Sequence, residues 1–128
     1  DLSTQDVPDA WNQYYNDYLG IRPDTDTNGC LQDVHWSTGQ LGYFPTYTLG
    51  NMMAAMFTEK MRDDIPDFDS LLQSGHFEEI SRWLERHIHS VARRQLSSEL
   101  VETICGKPLS ADALISSLRE KFGALYNV

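Results

Sequence analysis

Cysteine is scarce in this 128-residue chain: only Cys30 and Cys105 occur, far apart and with no CxxC pair. That excludes a disulfide framework and makes a reducing compartment the default. Bases are also few, with 10 Lys and Arg against 19 Asp and Glu and a net charge of −9. Such a surface repels phosphate, which argues against nucleic-acid and membrane-surface partners. No apolar run approaches a bilayer span, and no secretory leader is visible, so a cytoplasmic location is expected. Strand alternation, internal repeats and low-complexity tracts are absent from the sequence. So are HExxH, GxSxG, P-loop and GxGxxG signatures.

There is enough bulk for a core. Hydrophobic residues make up 41%, and three Trp, six Tyr and five Phe supply packing volume. A chain of this length buries roughly two-thirds of its unfolded surface. The apolar period is helical. Asp6-Val7-Pro8 reads as a helix start, with Asp6 as the acidic cap and Pro8 in the first turn. Ala10, Trp11, Tyr14, Tyr15 and Tyr18 follow at helical spacing, and Gly20 ends the run. Residues 21–29 hold Pro23, Asp24, Asp26 and Asn28 and read as a loop. Residues 31–43 fit neither period, and a short helix followed by a loop is expected there.

Pro45 opens a longer helix to about Arg62, carried by Leu49, Met52, Met53, Met56, Phe57 and Met61. Its methionines read as core filler, not a cofactor box. Gly50 and Ala54 would admit another helix backbone. Residues 66–73 form a short helix closed by Gly75. Phe77, Ile80, Leu84, Ile88 and Val91 mark the stripe of the next. Ser97 or Ser98 caps a helix over Leu100, Val101 and Ile104 that ends at Gly106. Ser110 caps the last, with Leu114, Ile115, Leu118, Phe122 and Leu125 inside. The fold class is all-α.

Several clusters invite a chemical reading. Arg82, Arg86, Arg93 and Arg94 lie beside Glu78, Glu79 and Glu85, which reads as a salt-bridged helix face, not a phosphate site. His87 and His89 are two apart and do not share a helix face. With His76 they read as ordinary surface or partly buried histidines, not metal ligands. Cys30 precedes His35, but no activating arrangement follows from that. The densest stretch is residues 29–50, which collects an amide, a carboxylate, an imidazole, an indole and two phenols. Two readings of it stand. It is a polar network bracing a helix end, the commoner arrangement, or a set of donors for a developing oxyanion. In either, Asp33 can orient a histidine nitrogen.

The segment Gly29-Cys30-Leu31-Gln32-Asp33-Val34-His35-Trp36 has the pattern GxxQDxHW, and it resembles the signature of the thermostable (Taq) carboxypeptidase family. The run Gly42-Tyr43-Phe44-Pro45-Thr46-Tyr47-Thr48-Leu49-Gly50-Asn51 is similar to the segment that follows it there. Gly106-Lys107-Pro108-Leu109 and Lys121-Phe122-Gly123-Ala124-Leu125-Tyr126 are similar to that family's C-terminal end. The resemblance therefore covers essentially the whole chain.

It implies that residues 1–128 are the C-terminal portion of a larger, mostly helical metallocarboxypeptidase. Such enzymes release single residues from peptide C-termini and are commonly homodimers. The resemblance also implies one zinc, or another divalent metal such as cobalt, held through HExxH and a downstream glutamate upstream of Asp1. This chain by itself is expected to hold no metal and to be inactive. By analogy with related helical zinc peptidases, His35, Tyr43 and Tyr47 are the catalytic candidates. Gln32, Asp33 and Trp36 are the substrate-binding candidates. The rival is a non-catalytic helical interaction module derived from the family. A piece of a larger enzyme should also expose an apolar patch, here on the helix of Met52, Met53, Met56 and Phe57 or on that of Tyr14, Tyr15 and Tyr18.

Overall fold

Helical periodicity closes into helices throughout a computed structural model that describes residues 2–127. No strand occurs among the described residues, so the all-α expectation holds. The chain forms two compact units, Asp1–Pro45 and Thr46–Val128.

The first unit is built on α1 (Val7–Leu19), with Pro8 in its first turn. Asp6 does not cap it, as it makes no bond to a helix N–H and instead accepts the Ser3 hydroxyl at 2.6 Å. Gly20 ends the helix at φ 67°, donating its N–H to Asn16 O at 2.9 Å. The following loop is tied internally: Asn28 Nδ2 donates to Asp24 Oδ1 at 2.9 Å and Asn28 N–H to Thr25 Oγ1 at 3.2 Å. The Asn28 amide holds the Asp24 carboxyl below its usual range. Gly29 sits at a close approach, since a Cβ there would lie 3.2 Å from Thr25 O and 3.3 Å from Pro23 Cβ.

Where a short helix followed by a loop is expected, residues 31–43 form no α-helix. Two single 3-10 turns, Cys30–Gln32 and Trp36–Thr38, take its place. Between them Asp33 is extended and captures a backbone N–H with its side chain, which competes with helix formation. Gly39 and Gly42, at φ 77° and 75°, then turn the chain away from a helical path.

The second unit carries the core. Here α2 (Pro45–Asp64) runs two residues past the expected end. It buries Met56, Phe57 and Met61 against Ile65, Phe68, Trp83, Val101 and Ile104. Met56 is 1% and Val101 0% exposed, and burying side chains of this size contributes about 1.5–3 kcal/mol each. The methionines are core, as expected, and Met56 Sδ also accepts Ser110 N–H at 3.4 Å. Gly50 has no neighbour within 4 Å of a built Cβ, so no helix crosses it among the described residues.

Three shorter helices follow: α3 (Phe68–Ser74), α4 (Glu78–Leu84) and, further on, α5 (Ser97–Cys105). The stripe expected from Phe77 to Val91 is not one regular helix, because α4 passes into a π turn at Glu85–His89. Trp83 is the residue it buries, and its indole Nε1–H donates to Asp64 Oδ2 at 3.0 Å. Neither Ser97 nor Ser98 caps α5; the Glu99 carboxylate accepts Leu96 N–H at 2.9 Å instead.

The last helix is α6 (Asp112–Tyr126). Ser110 serves its start, its hydroxyl accepting Asp112 N–H at 3.1 Å. Only Ala113 of α6 is buried. Ile115, Leu118, Phe122 and Leu125, expected inside, are exposed, because no described element packs on that face. The expected salt-bridged face is also absent. No ion pair joins Arg82, Arg86, Arg93 or Arg94 to an acid among the described residues, and Arg82 and Arg94 donate to backbone carbonyls instead. Of the two helices expected to expose apolar surface, α1 does so at Tyr14 and Tyr18, whereas Met56 and Phe57 are core.

Candidate active site

Asp33 is the least exposed acidic residue of the first unit among the described residues, and it accepts two bonds from one residue. His35 N–H donates to Asp33 Oδ1 at 3.0 Å, and His35 Nδ1 lies 2.7 Å from the same oxygen. The first contact is the Asx turn that a short carboxylate makes with the backbone two residues on. The second sets the ring. A carboxylate only accepts, so Nδ1 carries the proton, and in the neutral imidazole Nε2 holds the lone pair.

The ring is also held by its neighbours. Tyr43 lies 5.1 Å away, centroid to centroid, at an interplanar angle of 32°. Phe44 meets it edge-on at 5.5 Å and 74°. Phe44 was not a sequence candidate. The available signal was Pro45, which holds the preceding residue extended and so limits where the Phe44 ring can go.

The other candidates are distributed. Gln32 is exposed, and its amide nitrogen donates to Thr27 O at 2.6 Å. Trp36 packs edge-on against Trp11 at 6.1 Å and 87°. Trp11 in turn stacks on Tyr15 at 5.4 Å. Tyr43 and Tyr47 are 44% and 53% exposed, so neither phenol is core. Tyr47 belongs to the first turn of α2, in the second unit. The structure thus joins Asp33, His35 and Tyr43 into one cluster and gives Gln32 and Trp36 separate surroundings.

Cys30 is buried and Cys105 half-buried, and both are free thiols. Burial pushes the Cys105 thiol up, opposite to what a nucleophile needs. Among the described residues, no three His, Cys, Asp or Glu side chains converge as a metal set.

Known proteins are similar to this chain in sequence and fold. The family model described as carboxypeptidase Taq (M32) metallopeptidase matches residues 1–122. Carboxypeptidase 1 of Bacillus subtilis is 44% identical over 126 residues, which are 98% of this chain and 25% of that protein. Thermostable carboxypeptidase 1 of Thermus thermophilus is 39% identical over 126 residues, with the same two shares. The crystal structure of the M32 carboxypeptidase from Deinococcus radiodurans R1 is similar at a TM-score of 0.91 and 35% identity, covering 99% of this chain and 26% of that one. The chain thus spans about a quarter of the length of the curated relatives it matches. By sequence and by fold, it belongs to the carboxypeptidase Taq (M32) metallopeptidase family.

Proposed function

We propose that the chain is part of a metal-dependent carboxypeptidase that releases single amino acids from peptide C-termini. This piece supplies one wall of the substrate cleft and hydrogen-bond donors for the transition state. The observation that carries the reading is the Asp33–His35–Tyr43 cluster, in which Asp33 and His35 belong to the GxxQDxHW segment and Tyr43 to the run that follows it, in a chain of this family. The described residues do not fit a zinc or cobalt site of their own. On this reading the metal's ligands belong to the rest of the parent protein, and the chain alone releases no amino acid.

The chemistry of the cluster follows from its bonds. Asp33 holds the Nδ1 proton, so Nε2 can donate only when the ring carries both protons. Asp33 then supplies the countercharge. An imidazolium held this way stabilises the oxyanion of a tetrahedral intermediate. The phenols of Tyr43 and Tyr47 are donors of the same kind without a charge. Asp33 acts through His35 as a positioning residue, while Gln32 and Trp36 shape the substrate wall. The parent is a cytoplasmic homodimer acting on peptides, without nucleic-acid or membrane partners. A net charge of −9 supports the first exclusion. No helix among the described residues is long and apolar enough to cross a membrane.

The test is Tyr43→Phe, Tyr47→Phe and His35→Ala in the complete enzyme, reading kcat beside the unfolding midpoint. A donor used only in the transition state costs about 10²–10³ in kcat when removed, with KM little changed. A bracing network gives the reverse, a stability loss of ~1–3 kcal/mol with near-normal turnover. If all three variants keep at least about half of wild-type kcat, the catalytic roles are wrong.

A further inference from the structure

We infer that the groove between the C-terminal end of α2 and the segment from α4 into its π turn binds a small oxyanion, carboxylate or phosphate, through Arg82 and Arg86. The groove holds about 330 Å³ and is lined by Asp64, Glu79, Arg82, Trp83, Arg86 and His87, with Ile65 at its base. That volume is at the lower end of the range for small-ligand sites.

The charges in the groove are unevenly satisfied. Both oxygens of Asp64 are engaged: Lys60 Nζ donates to Oδ1 at 2.5 Å and the Trp83 indole N–H to Oδ2 at 3.0 Å. The Lys60 ammonium neutralises it, and together these bonds hold its carboxyl below the usual range. Arg82 is tethered but not neutralised. Its Nε donates to Glu78 O at 3.2 Å, which leaves the terminal guanidinium nitrogens uncommitted. The Arg86 guanidinium has no hydrogen bond or ion pair among the described residues; only the backbone carbonyl of that residue is bonded, accepting the Ser90 hydroxyl at 2.8 Å. Two cations four residues apart repel each other on a helix face. Glu78, Glu79 and Glu85 are all close in sequence, yet none of them pairs with either arginine. Such a pair of unpaired guanidinium groups is unexpected on a chain of net charge −9.

The walls suit a bound anion. Trp83 is 7% and Ile65 3% exposed, so one side of the groove is dry and of low dielectric. The His87 ring lies against Trp83 at 4.6 Å and 35°, closing the side next to Arg86. The π turn at Glu85–His89 carries Arg86 and His87 into these positions, and single π turns recur at functional sites. A guanidinium fork matches the oxygens of carboxylates and phosphates, where an ammonium offers only a point charge. Glu79 is the one carboxylate of the lining without a partner, and it opposes an anion. It therefore weakens the site and supplies a test with the opposite sign.

The experiment titrates the 128-residue chain with sodium phosphate and, separately, sodium acetate. Sodium chloride keeps the ionic strength constant, and NMR follows the Trp83 indole N–H and the His87 ring. Saturable shifts of both signals are expected. Saturation by phosphate alone assigns a tetrahedral anion, and saturation by acetate assigns a carboxylate. Arg82→Gln and Arg86→Gln should each weaken binding about tenfold, as the loss of a charge-assisted hydrogen bond implies. Both side chains are exposed, so neither substitution removes core packing. Glu79→Gln should tighten binding. The proposal is overturned if neither anion saturates, if chloride reproduces the shifts, or if the arginine variants bind like wild type. Weaker binding by Glu79→Gln also overturns it, because the groove would then favour a ligand bearing an amine.

Discussion

Removing the Asp33 carboxylate should destabilise the first unit and release the His35 ring in one step. Asp33→Ala deletes the acceptor of the bonds from His35 N–H at 3.0 Å and from Nδ1 at 2.7 Å. The Asp33 and His35 side chains are 7% and 17% exposed, so water restores neither bond in full. An ordinary intramolecular bond contributes about 0.5–1.5 kcal/mol and one to a charged group about 1.5–3 kcal/mol, which gives an expected loss of about 2–4 kcal/mol. Asp33→Asn keeps an acceptor at Oδ1 and removes only the charge, so its loss should be about 1 kcal/mol. Urea unfolding measures the stability of both variants. The ¹⁵N shifts of the His35 ring report the tautomer, which Asp33→Ala should shift from Nδ1–H towards a mixture. If Asp33→Ala stays within about 0.5 kcal/mol of wild type and the tautomer is unchanged, Asp33 does not position His35, and the mechanism built on it fails.

Three further outcomes follow from the second unit. Ala92 sits at φ 52°, a conformation that costs an L residue roughly 1–2 kcal/mol, so Ala92→Gly should raise the unfolding midpoint, and a lowered midpoint would show the turn to be unstrained. Met56→Ala leaves a void at a 1% exposed position and removes the Ser110 N–H···Sδ contact, so thermal unfolding should report a loss of about 2–5 kcal/mol. The Asp64 carboxyl is depressed by Lys60 first and Trp83 second. Its stabilisation is therefore complete above the ordinary value of 3.8 and is lost as pH falls through and below it. Asp64→Asn should lower stability at neutral pH and flatten this acid loss, and an acid limb identical to wild type would remove Asp64 from the account.

Much of the helical order is local and was legible in the sequence. Gly20, Gly75 and Gly106 end α1, α3 and α5 in left-handed conformations, which glycine adopts without a side-chain penalty. The period of Met53, Met56, Phe57 and Met61 marks both α2 and the face it buries. The GxxQDxHW segment identified the family without any coordinates, because its side chains are chemistry that no helix propensity requires.

Burial and pairing had to be decided in three dimensions. The apolar stripe of α6 has the same period as a core helix, but periodicity reveals a face and not whether anything covers it; here Leu118 and Phe122 lie open at 44% and 38%. Charge spacing placed Glu78 and Glu79 four and three residues before Arg82, yet its Nε donates to the Glu78 backbone carbonyl and pairs with neither carboxylate. Residues 31–43 carry no period because a side chain, Asp33, replaces the backbone ladder there. That same substitution sets the His35 ring against Tyr43 and Phe44, a contact between residues eight and nine positions apart that tertiary packing alone could choose.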